Sequence, residues 1–230
     1  MAVLVMANYG VVIPAFNAAA TIGETLSSVL AQTIKPDVIV VVDDGSTDGT
    51  VAAIEAMKLP VTVLRQENAG PGSATTRGFA ALSTLIIATL DADDLWLPEK
   101  IEKQLAFLDR HPEAAGVFTH WRTFREGRSD LPDMTSVPGW SRTTMMIRRG
   151  VADAVGPIVD PPGGRGEMID WIARVREAGF GLDMLDEALA LRRIRPGSLS
   201  YGRDAARDRG YLEVARLAML RRARKSAGPG

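Results

Sequence analysis

The chain of 230 residues contains no cysteine. Disulfides, thiolate metal sites and cysteine nucleophiles are therefore excluded, and a reducing, cytoplasmic location is expected. Histidine is nearly as scarce, with only His111 and His120. No Ser-His-Asp set is evident. His111 precedes Pro112 at an expected helix end, where its charge would complement the helix dipole. His120 follows a strand near the expected cleft. Neither sign of charge dominates, since the formal net charge is −1, so nothing global points to nucleic acid. Long apolar runs are also missing. No stretch reaches the roughly 20 residues needed to cross a bilayer. The N-terminal apolar run has no Lys or Arg ahead of it, so no signal peptide is expected.

What is present is alternation. Apolar strands are expected at Gly10–Ile13, 37–42, 61–64 and 85–90, separated by helices at 21–32, 50–58 and 73–82. Thr21 and Glu24 have the spacing of a capping box. The run Asp37-Val-Ile-Val-Val-Val42 is apolar almost throughout, as a parallel strand covered on both faces must be. A further helix is expected to open at Pro98, where the missing N–H costs nothing. The second half is less regular. Strands are expected at 115–119, 143–147, 182–185 and 188–191, loops at 125–140 and 160–166, and a helix at 167–178. An arginine-rich amphipathic helix is expected over 203–225. It reads as a solvated helix packed on the domain, with peripheral contact to an anionic membrane as the other reading. The fold class is α/β: a doubly wound, mostly parallel sheet flanked by helices. A single domain is expected, divided into a half at 1–98, a half at 99–202 and a tail at 203–230.

In such sheets ligands bind beyond the carboxyl ends of the strands, and two acidic clusters sit there. Asp91-Ala92-Asp93-Asp94 places three carboxylates in four residues. Such a cluster repels itself unless a cation joins it, and Mg²⁺ typically takes one or two carboxylates and fills its shell with phosphate and water. The plain alternative is a polar loop ahead of a helix. Asp43-Asp44-Gly45-Ser46 ends another strand. One of its carboxylates can accept a base N–H or a ribose hydroxyl; an Asx turn is the plain alternative. Pro14-Ala15-Phe16-Asn17 offers backbone groups and a ring face to a base. Gly70-Pro71-Gly72-Ser73, leading to Arg77, reads as a phosphate-approach loop, though Arg77 is equally able to pair with a surface carboxylate. Trp121, Trp140 and Trp171 are candidates to stack on a sugar, each as readily core, and His120 is a weaker acceptor-side candidate.

Taken in order, these stretches resemble the family 2 glycosyltransferases of the GT-A fold. The resemblance rests on Val12-Ile-Pro-Ala-Phe-Asn17, Val42-Asp-Asp-Gly-Ser-Thr-Asp48, Gly70-Pro-Gly-Ser-Ala-Thr-Thr-Arg77 and Leu90-Asp-Ala-Asp-Asp-Leu-Trp-Leu-Pro98. A looser stretch ends in Arg192-Arg-Ile-Arg-Pro-Gly-Ser-Leu-Ser200. The resemblance implies inverting transfer from a nucleotide-diphosphate sugar, often UDP-linked, to a hydroxyl acceptor, with Mn²⁺ or Mg²⁺. It implies that Pro14, Ala15, Phe16, Asn17, Asp43 and Asp44 hold the nucleoside. Arg77 would face the nucleotide, Asp91 and Asp93 would form the DxD pair around Ala92, and Asp93 or Asp94 would bind metal. Two positions depart from the pattern. Where an aspartate base is expected stands Met168, which leaves Glu167 as first choice for base and Asp170 as second. Where a histidine is expected stands Arg195, which cannot ligate a metal but can hold diphosphate bidentately.

Two other readings compete. A sugar nucleotidyltransferase would carry a Gly-rich, basic signature near its first strand, and the first forty residues hold only Lys35 as a basic residue. A non-catalytic nucleotide-sugar-binding module is favoured by Met168 and opposed by the intact acidic run at 91–94.

Overall fold

The computed structural model describes residues 8–126, 128, 133–195 and 205–226. The first half runs β1 (Tyr9–Ala15), α1 (Ile22–Leu30), β2 (Val38–Asp43), α2 (Thr50–Ala56), β3 (Thr62–Arg65), α3 (Pro71–Ala81) and β4 (Ile86–Thr89). It continues through β5 (Leu95–Trp96), α4 (Lys100–Arg110), β6 (Ala114–Arg125), β7 (Val137–Pro138) and a 3-10 turn at Arg142–Thr144. The last elements are β8 (Met146–Arg148), α5 (Arg149–Val155), α6 (Glu167–Glu177), β9 (Gly181–Ile194) and α7 (Ala205–Ser226).

One sheet runs in the order β3-β2-β1-β4-β8-β6-β9-β5, with β7 paired to β6. β3, β2, β1 and β4 are mutually parallel, as are β6 and β9. β8 joins the two groups antiparallel to both neighbours. The expected α/β architecture is therefore present.

The two faces of the sheet explain the apolar runs. Val11, Ile13, Ile39 and Val41 pack with Leu26 of α1 and Ile101 and Leu105 of α4. Val12, Val40 and Val42 pack on the other face with Phe79 of α3 and Trp171 and Val175 of α6. Alternate residues of each strand thus enter opposite cores. Gly78, unfavourable within a helix, has a packing reason: a Cβ there would meet Val12 Cγ1 at 2.2 Å. Only glycine lets α3 lie this close to β1.

Several boundaries differ from the sequence reading. The Thr21 hydroxyl does not cap α1. It donates instead to the Ala92 carbonyl at 2.9 Å, and Glu24 pairs with Arg193, so the capping-box spacing serves tertiary contacts. Pro98 lies in the turn before α4, two residues ahead of its first helical position. The expected strand at 143–147 is split into the 3-10 turn and β8. The loop expected at 125–140 contains β7, and β6 extends through Arg125. The two short strands expected at 182–185 and 188–191 are one strand, β9. Its register against β6 steps from Thr119↔Leu185 to His120↔Ala188, so Asp186 and Glu187 bulge where the apolar pattern breaks. β5 and α5 had no distinct pattern in the sequence.

α7 packs on α6. Arg221 bonds Asp170 and Glu177, at 2.8 and 2.7 Å, and Arg165 bonds Asp208 at 2.6 Å. Gly210 permits the crossing, because a Cβ there would meet the Arg165 carbonyl oxygen at 2.0 Å. The packed reading of this helix accounts for those contacts, and Leu212 and Met219 are left exposed on its outer side. Positions 203 and 204 of the expected helix lie outside the described residues, as does the stretch from Pro196 to Ser200. No described helix is long and apolar enough to cross a membrane.

Candidate active site

A cleft of about 590 Å³ opens beyond the carboxyl ends of β1, β2 and β4. That size suits a ligand of nucleotide-sugar dimensions. At one end lie Pro14, Ala15, Phe16, Asp44 and Asn68; Asp91 to Asp94 lie in the middle. Trp121, Trp140, Arg142, Glu167, Arg192 and Tyr211 lie at the other end.

The nucleoside end is built by short loops. Asp44 is buried and fully engaged: it accepts from Ala69 N and Gly70 N, both at 2.9 Å, and from Gln66 Nε2 at 2.7 Å. Phe16 is half exposed, with its ring at the rim. Asn17 does not line the cleft. Its amide oxygen accepts from Thr47 N and its own N–H donates to Ser46 Oγ, tying two loops together. Asp43 forms the plain Asx turn, accepting from Ser46 N. Arg77 is also outside the cleft, its guanidinium donating to the Arg65 carbonyl at 2.8 Å. The phosphate-approach reading of Gly70–Ser73 is corrected as well. The amides of Gly72 and Ser73 are taken by the Asp160 carboxylate, at 2.9 and 2.8 Å. Asp160 caps α3 from a remote loop, which no local pattern announces.

The acidic turn is held by the protein on nearly every side. Thr21 and Thr25 donate their hydroxyls to the Ala92 carbonyl, and Thr25 also donates to that of Asp94. Arg193 Nε donates to the Asp93 carbonyl at 2.7 Å. Asp94 points inward. Its two oxygens accept from Arg193 N and Thr143 Oγ1. Burial, then the charges of Asp93 and Asp91, push its pKa well above the usual carboxylate range. With both oxygens already engaged by the protein, Asp94 is less available to a metal than Asp93. Asp93 remains open to the cleft, and burial followed by the Asp91 charge raises its pKa. Arg195 Nε sits 3.5 Å from Asp93 Oδ2, a looser contact than a hydrogen bond.

The other carboxylates meet on Arg142, which the sequence did not single out. Arg142 is buried. Its Nε lies 2.7 Å from Asp91 Oδ1 and its Nη1 2.6 Å from Glu167 Oε1. The two opposing charges raise its pKa against the effect of burial. The 3-10 turn that presents Arg142 is pinned at all three carbonyls. Thr89 Oγ1 bonds that of Arg142, Trp96 Nε1 that of Thr143 and Gln104 Nε2 that of Thr144. Glu167 opens α6 and uses Oε1 on Arg142, leaving Oε2 without a bond among the described residues. Met168 is buried at the cleft wall. Asp170 is not in the cleft; it bonds Arg174 and Arg221 and fastens α6 to α7.

Of the aromatic candidates, Trp121 and Trp140 line the cleft. Trp171 is fully buried in the core, its indole donating to the Gly156 carbonyl. His120 bonds Ser136 and Asp186 and does not reach the cleft wall.

The family described as Glycosyl transferase family 2 matches residues 10–159, well over half of the chain. The chain belongs to this family. Among its glycosyltransferase relatives, the putative teichuronic acid biosynthesis glycosyltransferase TuaG of Bacillus subtilis is 25% identical over 229 residues, 92% of this chain and 90% of TuaG. An uncharacterized glycosyltransferase of Nostoc is 34% identical over 133 residues, 56% of this chain and 41% of that protein. The chain spans less than half the length of several such relatives. The structure of S. aureus TarS 1–349 in complex with UDP-GlcNAc aligns with a TM-score of 0.74 at 22% identity, over 93% of this chain and 66% of that 1–349 chain. The mannosyltransferase PcManGT of Pyrobaculum calidifontis, in complex with GDP-Man and Mn²⁺, aligns at 0.65 and 17% identity, over 97% of this chain and 76% of that one. Both likenesses establish the shared glycosyltransferase fold.

Proposed function

We propose that this chain transfers a sugar from a nucleotide-diphosphate donor, with UDP favoured, to a hydroxyl acceptor with inversion. The observation that carries this reading is one continuous cleft running from Phe16 and Asp44, past Asp93, to Glu167. The donor class draws support from family membership and from the UDP-GlcNAc bound to TarS. We take the chain as one domain. Residues 1–98 hold the nucleotide, 99–202 bear the acceptor side and 203–230 form a C-terminal basic amphipathic helix and tail. The proposed location is the cytoplasm.

The donor set fits a divalent ion in a limited way. Among the described residues no group of three carboxylate or histidine ligands gathers, and Asp93 is the carboxylate left for Mn²⁺ or Mg²⁺. One carboxylate is enough for an ion that draws its other ligands from diphosphate and water. When bound, that ion neutralises charge on the departing diphosphate. Arg195 stands beside Asp93, placed to share that load. Glu167 is the base. Its free Oε2 takes the proton of the acceptor hydroxyl as that oxygen attacks the anomeric carbon and the bond to diphosphate breaks.

Calorimetric titration with UDP and GDP, each with and without Mn²⁺, tests the donor assignment. Micromolar, metal-enhanced UDP binding is expected; tighter binding of GDP would reverse the preference. The base is tested by paired variants. Glu167→Gln is expected to lower kcat by about 10²–10⁴-fold with donor affinity within about threefold, whereas Asp170→Asn lowers thermal stability and leaves kcat of the folded enzyme near wild type. The opposite pattern would move the base to Asp170.

A further inference from the structure

Among the described residues, one guanidinium in the cleft has no carboxylate facing it. Four arginines line it. Arg142 faces Asp91 and Glu167, Arg195 faces Asp93, and Arg165 faces Asp208. Arg192 has no carboxylate partner and makes no hydrogen bond among the described residues. Its guanidinium carbon lies 5.0 Å from the centre of the Trp121 ring, over its face. Stacking of this kind covers one face of the guanidinium and leaves its N–H edge available. That edge is a ready bidentate site for an oxyanion.

The platform is rigid, because Trp121 and Arg192 stand on the adjacent parallel strands β6 and β9, close in register. A second pair repeats the device at the same end: the Arg176 guanidinium lies 4.8 Å from the centre of Trp140, again with no carboxylate partner among the described residues. Both tryptophans line the cleft. Neither pair touches the acidic turn, where Arg195 already stands beside Asp93.

We propose that the acceptor carries an anionic oxygen group, phosphate or carboxylate, beside its attacking hydroxyl, and that Arg192 on Trp121 receives that group. This rests on the glycosyltransferase reading and adds a substrate class to it. A neutral sugar can accept from the Arg192 N–H groups but brings no charge to balance its guanidinium. An anion beside the hydroxyl would orient it towards Glu167.

The test uses the four tryptophans as reporters on protein labelled with ¹⁵N and loaded with UDP and Mg²⁺. Trp96 and Trp171 are buried, with indole N–H groups bonded to the Thr143 and Gly156 carbonyls, and act as internal references. Glycerol 1-phosphate, glycerate and glycerol are titrated in turn while the indole signals are followed. Both anions are expected to move the Trp121 signal saturably, glycerol is not, and the tighter of the two identifies the group. Arg192→Gln is expected to weaken the anion response about tenfold or more, the loss typical of a charge-assisted hydrogen bond, with the Trp96 and Trp171 signals unchanged. An equal response to glycerol, an anion response indifferent to Arg192→Gln, or no movement of Trp121 would each overturn the proposal. UDP uptake is measured separately by calorimetry. Protein that binds no UDP strikes the donor reading, and the same anion titration on nucleotide-free protein then judges Arg192 by the same outcomes.

Discussion

Asp93→Ala is expected to lower transfer by about a thousandfold or more, the effect of removing several kcal/mol of charge stabilisation at the departing diphosphate. Its fold should survive. Among the described residues the one ion pair of the Asp93 side chain is the loose Arg195 contact, and its backbone carbonyl, which Arg193 holds, is retained. Stability should even rise at neutral pH when metal is chelated. The folded-state pKa of Asp93 is raised by burial and by Asp91. A carboxylate of that kind favours the folded state at low pH and loses that contribution as pH rises through its folded pKa. Removing it removes the loss. Melting curves in EDTA at pH 5 and pH 8 check this, with the variant's advantage larger at pH 8. Full transfer activity in Asp93→Ala would end its assignment at the diphosphate.

Arg142→Ala is expected to cost about 3–5 kcal/mol, because it strands two carboxylates that one buried cation now answers. For a chain of this size that is a fall in Tm of roughly 10 °C. Without Arg142, the negative charges of Asp91 and Glu167 are left with no cation between them. The deficit should therefore shrink as pH falls from 8 to 5, and thermal melts across that range show it. Adding Asp91→Asn and Glu167→Gln to the variant should restore much of the lost stability without restoring transfer. A deficit independent of pH would mean that Arg142 stabilises by packing alone.

Period and order make the fold legible in the sequence. Alternating apolar runs and helices specify a parallel sheet, and the pattern failed only where strands were short or interrupted. Leu95–Trp96 is too brief to show a period, and the Asp186–Glu187 bulge made one strand look like two. Within the site, residues on strand-end loops were legible because the topology alone carries them to one edge. Phe16, Asp44 and Asp93 lie at the cleft for that reason. Arg77, Asn17, Asp43, Asp170 and His120 lie elsewhere, since spacing places a residue near an edge without choosing its rotamer or partner. Arg142 and Asp160 were invisible for a related reason. Each acts through partners distant in sequence, in Arg142's case 25 and 51 residues away, and neither sits in a run that any local rule marks.

The hydroxyls of Thr21 and Thr25 have a consequence for repeated turnover. They grip the carbonyls of the acidic turn from α1, while Arg193 and Thr143 hold Asp94 from behind. A turn secured in this way does not depend on an ion or a nucleotide for its shape. When products depart, the emptied cleft keeps its contour, and the next donor meets a mould already set.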